Sequence, residues 1–282
     1  MATTTDKIYF IRGDGGTIDL TDHVNYDIRW GVTGRWMPPY QYTSEPVYTY
    51  PGEVLRIKLT KPREIDLPIT VLGKDLEGVR ENLRALNAAF SYDLGSAKLK
   101  VVSPDGKVRM INCYYSEGMG FQETSDTAYP SVFYAFLPIF TAFDPYWYDP
   151  MENEVFLNAI AGETGISSIN SKITLYNDGD VPAWPVWSLT GAFSEVEVQN
   201  ITTGSLFDLQ EALPTMQRVY IDTRPGNRDV LRNHITVDFG SLSTDSQLFP
   251  LTPGPNEIVP VFSNSDSNTE LRVRWVNKYL GV

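Results

Sequence analysis

The stretch that decides the fold runs from Asn177 to Thr223. It reads N-D-G-D-V-P-A-W-P-V-W-S-L-T-G over 177–191, V-E-V-Q-N-I-T-T-G-S-L-F-D-L over 196–209 and V-Y-I-D-T over 219–223. The cluster Asn177-Asp178-Gly179-Asp180, followed by Pro182 and Pro185, breaks regular structure and sets the chain in a turn or at a sheet edge. From Trp184, alternate residues (Trp184, Val186, Ser188 against Pro185, Trp187, Leu189) are mostly apolar on both faces. This strand is expected to be covered on both sides. Gly191 ends it. Val196 and Val198 then alternate with Glu195, Glu197 and Gln199, one buried face and one wet face. Thr202-Thr203-Gly204 turns the chain, and Leu206, Phe207 and Leu209 return as the partner strand. The pattern is a hairpin inside a sheet-on-sheet domain, with no nucleophile beside a base.

Working outward, the remaining chain repeats this grammar. Ile8–Ile11 is a strand, Gly13-Asp14-Gly15-Gly16 a hairpin turn, and Thr17–Leu20 the return. Val54–Leu59 and Glu64–Val71 alternate with period two and read as half-buried strands. Lys98–Val102 and Lys107–Tyr115 flank Pro104-Asp105-Gly106, a hairpin. Gly118–Phe121 opens a further strand. Tyr129–Phe143 is a long apolar strand pair or bent strand, and Pro145 and Pro150 stop ladder pairing after it. In one place the period changes: Leu76, Val79, Leu83, Leu86 and Phe90 lie three to four apart. Asp75 stands as N-cap, which predicts one amphipathic helix near residues 75–91. Lys172–Tyr176, Val219–Asp222, Asp229–Leu231, Ile258–Phe262 and Leu271–Trp275 are short strands, with turns at Arg224–Asn227 and Pro253–Asn256. The expected architecture is mainly β, two β-sandwich domains, 1–155 with the helix and 156–282 without one.

The bulk numbers agree. The chain has 282 residues, 42% hydrophobic and 12% aromatic, with 16 Tyr and a net charge of −12. Residues 1–150 hold 15 Lys/Arg against 19 Asp/Glu, and residues 151–282 hold 8 against 16, so the second part is the more acidic. A protein of this sign is not drawn to free nucleic acid or to an anionic membrane. The single cysteine, Cys113, excludes an intrachain disulfide and fits folding in a reducing cytoplasm. Residues 1–7 lack the apolar core of a signal peptide. The uncharged run Thr127–Phe143 contains Pro130 and Pro138 and reads as buried or interface strand, with no membrane insertion.

Chemistry is hard to find. His23 and His234 stand far apart, and no zinc spacing, phosphate loop, dinucleotide fingerprint or Gly-x-Ser-x-Gly elbow occurs. Asp178 and Asp180 lack the rest of a calcium loop and read as a turn. Asn200-Ile201-Thr202 matches a glycosylation triplet without a secretory context. No catalytic residue, metal or cofactor is expected. The aromatic segment Trp30–Tyr50 reads either as a loop tucked over the domain or as a contact segment, since Tyr and Trp concentrate in interfaces. Trp36, Tyr40, Tyr42, Tyr48 and Tyr50, with Phe133 and Phe136 of the apolar run, are therefore the candidate subunit-interface residues.

Taken in order, several of these motifs resemble the distal tail protein family of siphophages, the proteins that cap the tail tube. The first half contributes Pro51-Gly52-Glu53, Leu83-Arg84-Ala85-Leu86, Asp105-Gly106 and Phe143-Asp144-Pro145-Tyr146-Trp147-Tyr148. The second contributes Asn177–Asp180, Pro185, Gly191, Asn200–Gly204, Ile221-Asp222-Thr223 and Pro253–Asn256. The resemblance implies a tail-tube-like first domain that assembles as a homo-hexameric ring, and a galectin-like second domain outside it. It implies a structural hub at the virion tail tip, made in the bacterial host cytoplasm. Its partners would be the tail tube protein and the tail-associated or tail fibre protein, with DNA only in transit. Unlike larger members, the chain has no long insertion that would add a sugar-binding module. A carbohydrate-binding module acting in host adsorption is the alternative function.

Overall fold

A computed structural model describes residues 6–28, 31–48, 51–120, 133–158, 169–233, 235–237 and 239–282. The chain is mainly β and forms two compact units, Met1–Pro150 together with Tyr279–Val282, and Met151–Lys278. The expected division at 155/156 falls inside the strand Asn153–Asn158, which pairs along its whole length with Glu270–Trp275 of the second unit.

In the first unit, the main sheet runs Thr17–Asp19, Lys7–Ile11, Ala97–Val102, Val108–Glu117, Ile139–Ala142, Arg63–Asp66. A smaller sheet runs Phe133–Phe136, Ile69–Leu72, Tyr26–Asp27. The helix Leu76–Ala89 starts where Asp75 accepts a bond from the Gly78 amide at 2.8 Å, satisfying one free donor of its first turn. It turns Val79, Leu86 and Ala89 inward, and Glu77, Arg80, Glu81 and Arg84 outward or to its flank. Phe90, just past its end, makes edge contacts with Phe10 (4.9 Å) and Phe140 (5.0 Å) and stacks on Tyr115 (5.5 Å). These rings join helix and main sheet in one core with Ile8, Leu99, Ile111 and Val71.

Four expectations meet the structure here. The strand expected to open at Gly118–Phe121 would run into residues 121–132, which lie outside the described set; Gly118 itself has φ +101°, a Cβ there would lie 1.8 Å from the Leu137 carbonyl oxygen, and it ends the strand Val108–Glu117. The apolar run is two strands, Phe133–Phe136 and Ile139–Ala142, which go to different sheets across Leu137-Pro138; residues 129–132 lie outside the described set. Pairing does resume between Pro145 and Pro150, where Tyr148 sits opposite Met110. Finally, Val54–Leu59 is not half-buried. Its strand, Glu53–Thr60, is exposed almost throughout.

The second unit faces a six-stranded sheet (Asn153–Asn158, Glu270–Trp275, Val186–Thr190, Arg218–Asp222, Asp229–Arg232, Thr236–Val237) against a four-stranded one (Ile173–Asn177, Gly254–Ser263, Glu195–Asn200, Ser205–Leu209). Val186–Thr190 is a central strand, flanked by Arg218–Asp222 and Glu270–Trp275, with residues 187–190 buried. Trp187 fills the centre, with edge contacts to Phe207 (5.4 Å) and Phe249 (5.7 Å). The hairpin Glu195–Asn200/Ser205–Leu209 turns at Thr202–Gly204 as its sequence requires, with Val196 and Val198 buried and Glu195 and Glu197 exposed. One expected turn is strand: Gly254, Pro255 and Asn256 pair with Asn177, Tyr176 and Leu175.

Candidate assembly surface

The strands Tyr40–Pro46 and Glu53–Thr60 form a two-stranded sheet of their own, an arm on the first unit. Pro39 and Pro62 bracket it, and the Lys61 amide donates to the Pro39 carbonyl at 2.9 Å, closing its base. Direct cross-strand partners point to one side of a sheet. Tyr40 opposite Thr60 and Tyr42 opposite Lys58 thus define one face, on which the Lys58 ammonium lies 4.4 Å from the Tyr40 ring; further along, Arg56 pairs with Glu45 at 2.8 Å. The other face carries Ile57 and Leu59 opposite Thr43 and Gln41; between Thr43 and Ser44 the register shifts past Arg56, and beyond that bulge Leu55 stands opposite Ser44. Those three aliphatic side chains are 50–55% exposed. An isolated hairpin is marginal in water. A contiguous aliphatic face without cover is the mark of a contact surface.

Of the candidate interface residues, Tyr40 and Tyr42 lie on the polar-aromatic face of this arm, their rings 6.4 Å apart. Tyr48 is fully exposed near its tip, and Tyr50 lies outside the described residues, as do Trp30 and His234. Trp36 is exposed below the arm's base, close against Gly281. Phe133 is exposed, but Phe136, three positions on and so on the opposite face of the strand, is buried in the core of its own unit and offers no surface. Sequence reading missed the aliphatic face. Period-two alternation fixes which residues share a face, not which face the same chain covers. It also missed an exposed pair on the main sheet, Tyr114 edge-on to Phe143 at 5.8 Å.

The groups that could carry chemistry are otherwise engaged. His23 Nδ1 lies 2.7 Å from the buried carboxylate of Asp27, and among the described residues no hydroxyl or thiol is bonded to the ring. The Asn200 of the glycosylation triplet is buried, accepting from the Thr202 and Thr203 amides at 3.0 and 3.3 Å. At Asp178–Asp180, Asn177 Oδ1 accepts from the Gly179 amide and the Asp180 amide donates to the Lys278 carbonyl, a tied turn. Among the described residues no group of three His, Cys, Asp or Glu is placed to hold a metal ion. No helix among them is long and apolar enough to cross a membrane.

Cys113 is sealed beneath the main sheet. Burial pushes its thiol up to about 12 from an ordinary 9.0, with a smaller opposing effect of the bond involving the Leu99 backbone, so it is no thiolate nucleophile. Its folded pKa is raised, so the unfolded chain releases this proton first. The stability it confers is complete below pH 9 and is lost as pH rises towards 12, at up to about 1.4 kcal/mol per pH unit. The urea midpoint of wild type should therefore fall faster from pH 8 to 11 than that of Cys113→Ala. Parallel curves would refute this.

Residues 178–279 match the family model described as siphovirus-type tail component, C-terminal domain. No curated relative matches the chain. Among solved structures it is similar to the Dit protein (gp 19.1) of phage SPP1, with a TM-score of 0.69, 15% identity, and coverage of 97% of this chain and 99% of that one. It is also similar to a chain of the phage P2 baseplate in its activated conformation, with a TM-score of 0.53, 8% identity, and coverage of 99% and 100%. By the sequence of its second unit this chain matches a siphovirus-type tail component domain, and over nearly its whole length it has the fold of the SPP1 Dit protein.

Proposed function

We propose that this protein is a structural hub of a siphophage tail tip. Six copies form a ring through the first unit, which joins the tail tube to the tail-associated or tail fibre protein and leaves a bore through which DNA passes. The protein is a virion component without catalysis of its own, and its partners in the tail are proteins. The observation that carries this reading is the arm: a hairpin whose aliphatic side chains Leu55, Ile57 and Leu59 are left half exposed by the described residues of the chain. A ring of identical subunits needs two different patches that meet and close by rotation. An arm reaching onto a neighbour supplies one of them, and the exposed Tyr114–Phe143 and Phe133 surface is suited to be the other. The relatives support the setting, since SPP1 Dit is described as a hub of the adsorption apparatus in phages that infect Gram-positive hosts and the P2 relative belongs to a baseplate. Charge fits as well. Residues 151–282 are the more acidic part, and copies of them repel over a Debye length of roughly 8 Å, which favours their lying apart outside the ring.

The test is the mass of the purified full chain by light scattering, with negative-stain images. Rings of about six times 31.7 kDa are expected. A monomer at high protein concentration, above all one that binds a glycan, would replace this reading with that of a carbohydrate-binding module.

A further inference from the structure

Arg63, the first residue of its strand, is 1% exposed, and its side chain crosses the interior of the first unit. Among the described residues no carboxylate pairs with its guanidinium. One nitrogen donates to the Gly34 carbonyl at 2.9 Å and another to the Leu280 carbonyl at 2.7 Å, while Nε has no partner. Burial pulls its pKa down to about 10, partly countered by the phenols of Tyr146 and Tyr40, so it remains a cation at neutral pH. A buried cation held only by carbonyl dipoles is sensitive to the loss of either one.

Those two carbonyls come from places far apart in sequence. Gly34 lies in the 31–39 loop that leads into the arm. It has φ +72°, and a Cβ on it would lie 1.9 Å from the Glu64 carbonyl oxygen, so the loop is pressed onto Arg63's own strand. Leu280 lies in the strap Tyr279–Val282, which follows the second unit in the chain and packs on the core of the first. The strap has its own anchor. The Tyr279 ring lies 3.6 Å from the Arg109 guanidinium and its hydroxyl donates to Asp149 at 3.0 Å, while Arg109 pairs with Asp149 at 2.6 Å.

We propose that Arg63 is a latch that couples the strap to the base of the arm. With the strap seated, the guanidinium has both carbonyls and the 31–39 loop is held. When the strap lifts, the cation keeps one carbonyl partner, and the loop opens more readily. Coupling of this kind is reciprocal, so loosening the loop also loosens the strap. A pull on the strap, which is covalently continuous with the second unit, would therefore be felt at the root of the arm. Arg63 is a positioning residue in this device, and the coupling stands whether or not the arm is the element of self-association.

The test is amide hydrogen exchange on the full chain, in an Ile57→Glu background so that all variants share one state of assembly. Tyr279→Ala removes the strap's anchor without touching residues 31–39. It should speed exchange across 31–39 about tenfold, a change in the free energy of local opening, and leave the hairpin Ala97–Val102/Val108–Glu117 unchanged. In the presence of Arg63→Met, the same Tyr279→Ala change should have little further effect on 31–39. Tyr279→Phe, which keeps the ring on Arg109 and loses only the bond to Asp149, gives a milder version if the alanine variant does not fold. Exchange that speeds up only within 279–282, or evenly across the unit, would overturn the latch. So would an effect on 31–39 that survives Arg63→Met at full size, since it would then pass through the Trp36–Gly281 contact.

Discussion

Ile57→Glu should reduce the solution mass to that of a single 31.7 kDa chain and leave the thermal midpoint close to wild type. The two halves of this result have separate causes. Ile57 stands between Leu55 and Leu59 along the arm strand, all three half exposed in the lone chain. Covering one such side chain with a neighbour is worth roughly 1.5–3 kcal/mol, and a carboxylate in its place must be stripped of water at each contact of a closed ring. In the monomer the same carboxylate stays in water, where a surface change is worth within about 0.5 kcal/mol. Lys58→Glu is the control: it inverts a charge on the other face of the same strand and loses the contact with Tyr40. It should weaken assembly far less. Light scattering of the two variants beside wild type decides. An Ile57→Glu protein that keeps the wild-type mass would move the interface away from the arm.

That face shows where a single sequence stops being informative. The period of Val54–Leu59 was legible, and so was the switch to helical spacing at Leu76–Phe90, because both depend on local geometry. Which side of Val54–Leu59 is covered depends on whether other strands of the same chain lie over it, and none of the described ones does. The aromatic segment shows the same limit. Its prolines at 38, 39 and 46 mark the start and end of an arm strand, and they look the same in a loop and in an edge strand. The role of Arg63 was not legible at all. Arginine beside Glu64 in an alternating strand reads as a solvated position, and only the return of residues 279–282, more than two hundred positions later, encloses it. Motif order alone pointed to the family. Each of those motifs is a turn or a strand end, which is where backbone geometry dictates residue type most strictly.

Asn200 and Asn256 give that statement a measurable form, because both belong to motifs that read as plain turns. Both are fully buried, at the end of the four-stranded sheet where the turn after Asn200 meets the start of Gly254–Ser263. Asn256 Oδ1 accepts from the Thr252 amide (2.9 Å), the Thr252 hydroxyl (3.0 Å) and Asn200 Nδ2 (3.3 Å), and its Nδ2 donates to the carbonyls of Thr252 (2.7 Å) and Gly254 (3.1 Å). Asn200 Oδ1 in turn accepts the two amides of its own turn. One amide side chain thus replaces the water that the 252–254 turn would otherwise need, and a second, bonded to it, does so for 202–203. Asn256→Ala leaves a buried amide and up to two carbonyls without this partner. At about 1–3 kcal/mol for each buried group left unmade, the expected loss is roughly 3–5 kcal/mol. For a protein of this size that corresponds to a fall of about 8–15 °C in the thermal midpoint. Asn256→Asp keeps the acceptor but replaces two donated bonds with a buried carboxylate facing two carbonyl oxygens, so it should be no milder than alanine at neutral pH and should recover in part as acid protonates it. Calorimetry of the two variants at pH 7 and pH 5 reads both effects. An Asn256→Ala protein within about 1 kcal/mol of wild type would mean that water serves these turns as well as the asparagine does.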